Sequence, residues 1–220
     1  MQNIPVFLTV AGRACVVIGG GPVGTRKTRM LLDAGARVTV VTPQATAELE
    51  HLARECGALR LLLREYRPGD LAGSWLAFAA TGVSEVQDQV ATDAERERIW
   101  FNAVDEPARC SFITPAVVER GPIAIAVSTG GASPALAGAI RRDLDAWLGQ
   151  EYEQAVRLLG ELRDRHEPGE ERQRAFLSLI DRGLVAALRE GDGERVRAMA
   201  DDAFARVPRR ANPTTGGVAG

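Results

Sequence analysis

An apolar, β-branched run, Val16-Val17-Ile18, feeds directly into Gly19-Gly20-Gly21-Pro22-Val23-Gly24 and then into a helical pattern. A G-x-G-x-x-G turn between a strand and a helix restricts the fold to a short list. The turn lets peptide N–H groups and a helix N-terminus face a pyrophosphate, which makes dinucleotide binding the first expectation. Gly19 permits the tight turn, Gly21 has no Cβ to hold backbone away from phosphate, and Gly24 lets the helix lie close to its strand. The alternative is a glycine-rich turn that binds nothing. The switch from a period of 2 to a period of 3.6 across the turn favours the βαβ reading.

The rest of the first half repeats this alternation. A turn at Ala11-Gly12-Arg13 precedes the first strand, and the first helix stops near Gly35. Strands are expected at Val38–Val41, Leu59–Leu63, Leu76–Ala80 and Ile99–Val104, with helices from about Pro43 and over Ser84–Arg98. The expectation is an α/β fold with a Rossmann-type, mostly parallel sheet over residues 1–113. Ligands of such sheets bind beyond the carboxyl ends of the strands, which puts Gly19–Gly24, Thr42, Thr81 and Asp105 on one rim.

After residue 113 the character changes. Ile123–Val127 reads as one more strand. The loop Ser128-Thr129-Gly130-Gly131-Ala132-Ser133 follows, and then a helix from Pro134 to about Leu148 capped by Ser133. Residues 114–150 form a separate segment and 151–207 a helical domain broken at Glu167-Pro168-Gly169 and Gly191-Asp192-Gly193. The Pro/Gly/Thr-rich stretch 208–220 reads as a disordered tail.

Composition mainly excludes. A net charge of −2 over 220 residues leaves no global basic footprint, so nucleic acid is not expected as a partner. No run reaches membrane-spanning length, and the start lacks a charged leader, so a cytoplasmic location without a membrane partner is expected. The three cysteines, Cys15, Cys56 and Cys110, form no C-x-x-C pair, and with only His51 and His166 there is no set at metal-ligand spacing. Both histidines read as surface residues. Lys27 is the sole lysine in a chain whose other cations are arginines.

The chemistry-bearing candidates are few. The acidic residue that meets the ribose in many dinucleotide folds is replaced by Thr42, which leaves NAD and NADP close to even from the residues alone. Asp105, at the end of the fifth strand, can serve as a general base or hold a cation; an aspartate two residues before Pro107 is also a common turn former. Glu106 beside it reads as solvent-facing. The Ser128–Pro134 loop is either an anion site at a helix N-terminus or a tight crossover. Arg109, Arg120, Arg141 and Arg142 can pair with substrate carboxylates or stand as solvated charges.

Taken together, several of these segments resemble precorrin-2 dehydrogenases, the N-terminal module of siroheme synthases. The resemblance is carried by Ile4-Pro5-Val6-Phe7, Gly19-Gly20-Gly21-x-Val23-Gly24-x-Arg26-Lys27 and Leu31-Leu32-x-Ala34-Gly35-Ala36-x-Val38-Thr39-Val40. It continues in Trp75-Leu76-Ala77-x-Ala79-Ala80-Thr81, Asn102-x-Val104-Asp105-x-Pro107, Ser111-Phe112-Ile113-x-Pro115 and Ala126-Val127-Ser128-Thr129-Gly130-Gly131-x-Ser133-Pro134. It spans about residues 4–150, with the helical remainder matching loosely.

The resemblance implies oxidation of precorrin-2 to sirohydrochlorin with NAD as cofactor, followed in some members by Fe2+ insertion, with Co2+ as an alternative metal. It implies a homodimer, with 114–150 as the dimerisation segment. It carries the catalytic aspartate onto Asp105 and the cofactor contacts onto Gly21, Pro22, Val23, Pro43, Gln44 and Thr81. Ser128, Thr129, Gly130, Arg109 and Arg120 become the candidates for holding the tetrapyrrole. Gly24 stands where alanine is more usual, an exchange expected to be harmless, and Thr129 stands where some members have serine. The methyltransferase domain of bifunctional siroheme synthases is absent from these residues, which implies a separate supplier of precorrin-2. The rival readings are a dehydrogenase without chelatase activity and a non-catalytic NAD-sensing module.

Overall fold

A computed structural model describes residues 3–104 and 106–210. The chain divides into two compact units, Met1–Thr114 and Pro115–Gly220.

The first unit is built on a parallel sheet whose central strand is the first one. Strands β1 (Ala14–Gly20), β2 (Arg37–Ala45), β3 (Leu59–Leu63), β4 (Leu76–Ala79) and β5 (Trp100–Ala103) are ordered β3-β2-β1-β4-β5. Helices α1 (Pro22–Asp33), α2 (Ala47–Glu55) and α3 (Ser84–Glu97) connect them. Burial on both faces explains why β1 reads as a continuous apolar run rather than an alternating one. Cys15 and Val17 pack with Leu31 of α1, Leu49 of α2 and Phe78 of β4. Val16 and Ile18 pack on the opposite face with Val90 and Ala94 of α3.

The chain runs from β1 to β2 on one side and returns from β3 to β4 on the other. The order therefore reverses between β1 and β4, and the crevice of a doubly wound sheet lies beyond their carboxyl ends. One expected boundary moves. Pro43 does not open a helix; β2 continues through Ala45, which pairs with Gly20 past a register shift in β1. The helix begins only after Thr46, whose hydroxyl accepts from Leu49 N–H at 3.1 Å and caps it.

The second unit opens with a hairpin of β6 (Ala116–Arg120) and β7 (Ile123–Val127), paired antiparallel with Arg120 opposite Ile123. Strand β6 was not anticipated from its mixed pattern. Helix α4 (Pro134–Trp147) starts as expected, with Ser133 Oγ accepting from Leu136 N–H at 3.2 Å. Helices α5 (Gln150–Arg165), α6 (Glu170–Asp181), α7 (Leu184–Arg189) and α8 (Gly193–Phe204) close around Leu179, Leu184, Ala187 and Phe204.

Two expectations fail here. His166 is not a surface residue: it is 5% exposed, with Nδ1 2.9 Å from the Leu162 carbonyl and its ring centroid 4.8 Å from that of Phe204. Residues 208–210, assigned to the tail, pair instead with the end of α5. Glu167 N–H donates to Pro208 O at 2.8 Å, and Arg210 N–H donates to Arg165 O at 2.9 Å. The rest of the expected tail, 211–220, lies outside the described residues.

Candidate functional site

The glycine turn is wedged between the ends of its two neighbouring strands. A Cβ on Gly19 would lie 2.3 Å from Ala80 O at the end of β4, and its φ of +112° already excludes most side chains. A Cβ on Gly20 would lie 2.6 Å from both Gln44 O and Thr42 Cγ2 on β2. Gly24 fits only as glycine, because a Cβ there would stand 2.0 Å from Gly19 O, a backbone atom that no rotamer change can move. Glycine in place of the more usual alanine is therefore accommodated here, as expected, whereas a return to alanine would crowd the turn. Gly21 is the exception: it is exposed, and a Cβ there would meet nothing within 4 Å.

This pattern is what a phosphate cradle requires. Three glycines bring helix and strands together, and the fourth leaves open space in front of the N-terminus of α1, where Gly21 is the cap residue and Pro22 the first helical residue. The residues present therefore fit a dinucleotide pyrophosphate, with Gly21, Pro22 and Val23 at the helix end.

The turn is tied down by two threonines that sequence reasoning missed. Thr25 Oγ1 donates to Gly21 O at 3.0 Å and lies 2.8 Å from Thr46 Oγ1, while Thr46 N–H donates to Gly20 O at 3.0 Å. The signal for Thr46 was present, since a threonine before Ala47-Glu48-Leu49 is a usual helix cap. That for Thr25 was not, because its second partner, Thr46, comes from the start of α2, 21 residues on.

Thr42, Pro43, Gln44 and Thr81 flank the turn as anticipated. Thr42 is buried and donates its hydroxyl proton to Gln44 O at 2.6 Å, so toward a ribose it offers only an acceptor. Pro43 and Gln44 are exposed at the β2 end. Thr81 follows β4; its hydroxyl accepts from Val83 N–H at 3.2 Å and its carbonyl from the Gln87 side chain. Asp105 lies outside the described residues. Before it, Val104 N–H donates to Ala79 O at 2.9 Å, which aligns the end of β5 with that of β4.

The other candidates are already engaged. Arg109 pairs with Asp88 and, at 2.8 Å, with Glu106. In the second unit, Arg120 donates to Leu148 O at 2.9 Å and to Asp145 Oδ1 at 2.7 Å, which ties β6 to the end of α4. Thr129 Oγ1 both accepts from Ser133 N–H and donates to Ser133 O, each at 3.0 Å, and Ser128 Oγ accepts from Gly130 N–H at 3.1 Å. The loop is thus closed by its own hydrogen bonds, with Gly130 and Gly131 at φ of +65° and +85°. No group of three or more potential metal-ligating side chains occurs among the described residues, and none of the described helices is long and apolar enough to cross a membrane.

A switch point in a parallel sheet, with a glycine turn and an open helix N-terminus beside it, is the arrangement of a dinucleotide-binding protein. The comparisons agree. A family model described as NAD(P)-binding matches residues 6–116, and one described as the central part of a sirohaem biosynthesis protein matches 120–146. The chain belongs to this NAD(P)-binding family. It is 39% identical over 211 residues to siroheme synthase 3 of Aeromonas hydrophila, and 40% identical over 203 residues to the siroheme synthase of Pseudomonas paraeruginosa. These alignments cover 93% and 89% of the chain but only 45% and 43% of the relatives, so the chain spans under half of their length. Among solved structures it resembles SirC, a precorrin-2 dehydrogenase, with a TM-score of 0.79 and 26% identity over 92% of this chain and all of the other.

Proposed function

We propose that the protein oxidises precorrin-2 to sirohydrochlorin with NAD as the hydride acceptor, in siroheme biosynthesis. The observation that carries this reading is the open Gly21 cradle between the closely packed ends of β2 and β4, in a chain that superimposes along nearly its whole length on a precorrin-2 dehydrogenase. When bound, the nicotinamide accepts the hydride from the macrocycle. The protein's own part is to hold and orient. The peptide N–H groups at the start of α1 meet the pyrophosphate, Pro43 and Gln44 border the adenosine side, and Thr81 stands at the β4 end.

Desaturation also releases a proton, and Asp105, one residue past Val104 at the end of β5, is the base we assign to it. Ser128, Thr129, Gly130, Arg109 and Arg120 are assigned to the carboxylate-rich tetrapyrrole. For the two arginines this role requires exchange of their present partners, Asp88, Glu106 and Asp145. Residues 114–150 are proposed to form a homodimer interface. Support comes from an apolar stripe on α4, where Leu136 and Trp147 are 53% and 54% exposed and Ile140 lies between them. A cytoplasmic location fits this chemistry.

The deciding experiment is turnover of precorrin-2 with NAD+ and, separately, NADP+, followed by Fe2+ or Co2+ in the same cuvette. NADH formation in step with sirohydrochlorin is expected. The metal addition distinguishes an enzyme that stops at sirohydrochlorin from one that also metallates it. An Asp105→Ala variant that folds and binds NAD is expected to lose dehydrogenase activity; full rates would refute the role given to Asp105. Tetrapyrrole binding without NADH formation would favour a sensing module.

A further inference from the structure

The segment after β5 is stitched back onto the strand it leaves. Cys110 Sγ accepts from Ala103 N–H at 3.2 Å and from Asn102 Nδ2 at 3.5 Å. Ser111 N–H donates to Phe101 O at 2.8 Å, and Phe101 N–H donates to Ser111 Oγ at 2.7 Å. Asn102 Nδ2 also donates to Phe112 O at 2.9 Å, and Phe112 sets its ring edge against the fully buried Phe78, with centroids 5.4 Å apart. Each end of the loop 103–110 is thereby held by a side chain.

One more contact fastens this strap to a different element. Lys27, on α1, donates from Nζ to Thr114 Oγ1 at 3.0 Å and stands 4.9 Å above the Phe78 ring. A half-buried ammonium is costly to desolvate, and here it regains one neutral hydrogen bond and a cation–π contact. None of the described ion pairs involves it. A methionine would fill the same space at less cost, so stability alone does not account for the charge.

We propose that Lys27 and Asn102 are positioning residues for the dehydrogenation. Asn102 fixes the two ends of the loop that carries position 105, and Lys27 fastens its strap to the helix whose N-terminus addresses the cofactor. The inference rests on the catalytic reading of Asp105. It accounts for two residues, Asn102 and Lys27, that the sequence motifs single out and the cofactor contacts leave unused. Burial, followed by the Arg26 guanidinium on the same helix, holds the Lys27 ammonium below the usual lysine range, with Cys110 on the strap opposing. Its other neighbours, Phe78 and Thr114, carry no charge.

The test compares Lys27→Met, Lys27→Arg, Thr114→Val, Asn102→Ala and the Lys27→Met/Thr114→Val double variant with the parent. Readouts are kcat with precorrin-2 and NAD+, NAD affinity, Tm and the pH profile of kcat. Thr114 is exposed, so its variant tests the latch without threatening the core. Lys27→Met, Thr114→Val and Asn102→Ala are expected to lower kcat about tenfold, less than the roughly hundredfold that a full ångström of misplacement can cost, with NAD affinity within about twofold of the parent. The double variant should be no worse than the worse single one. Lys27→Arg should restore most of the rate and carry the alkaline limb to higher pH. A parental rate in Thr114→Val, additive losses, or an alkaline limb unmoved in Lys27→Arg would overturn the proposal. Asp105→Asn separates the two readings: if it is inactive while the latch variants are normal, only this inference fails, whereas an active Asp105→Asn removes the reading beneath it.

Discussion

Replacing Gly24 by alanine adds one methyl group at the tightest point of the fold. The added Cβ would sit 2.0 Å from Gly19 O and 2.8 Å from Gly19 C, both backbone atoms of the turn. Relief requires α1 to retreat from β1 by about 1 Å, since ordinary contact lies beyond 3 Å. Overpacking of this kind costs about 2 kcal/mol, which for a chain of this size lowers Tm by about 4–8 °C. Gly21→Ala is the matched control. Its Cβ meets nothing within 4 Å and its φ of −72° suits alanine, so Tm should hold or rise slightly. The methyl group would instead project into the space proposed for the pyrophosphate and weaken NAD binding by about tenfold or more, equivalent to about 1.4 kcal/mol. Thermal melts with and without NAD, together with a fluorescence titration, read both effects. A Gly24→Ala protein melting within about 1 °C of the parent would refute the packing argument, and Gly21→Ala binding NAD at parental affinity would refute the cradle.

Other outcomes follow from the described contacts. Asp70 accepts from Arg64 at 2.7 and 2.6 Å, and that guanidinium holds its carboxyl below the usual aspartate range. Its contribution is therefore present above the unfolded pKa and lost as pH falls through the folded one. Asp70→Asn should lower Tm at neutral pH, and the gap should close on acidification through that depressed pKa. Burial pushes the Cys15 thiol up to about 11, so a thiol reagent at pH 8 should reach it only on unfolding; labelling in the native state would contradict its place in β1. Tyr66 donates to Asp93 Oδ2 at 2.7 Å, so Tyr66→Phe should cost about 1 kcal/mol in denaturant melts and leave NAD affinity unchanged.

The parallel sheet was legible because its central strands are apolar on both faces and its glycines punctuate them. The errors have local causes. Thr42-Pro43-Gln44 resembles a helix start, yet the register shift after Ile18 lets β2 run on to pair with Gly20. His166 sits among Arg163, Asp164, Arg165 and Glu167 and looks solvated; its burial depends on Phe204, which arrives only with α8. At the site, the close packing at Gly19 and Gly24 followed from motif spacing, as did the open position of Gly21. The crowding of Gly20 against β2 and the contact between Thr25 and Thr46 did not, because only the folded register brings those elements alongside; Thr46 was readable as a helix cap but not as a brace of the turn. Arg109 and Arg120 read as available cations until the carboxylates facing them were seen.

The strand order has a consequence during synthesis. The first strand of this sheet to leave the ribosome becomes its middle, and one of its sides has no neighbour until Leu76–Ala79 emerges. At ordinary elongation rates that wait lasts a few seconds. Through that interval Val16-Val17-Ile18 remains a half-covered nascent β-template, open to chaperones or to misregistered pairing with another chain.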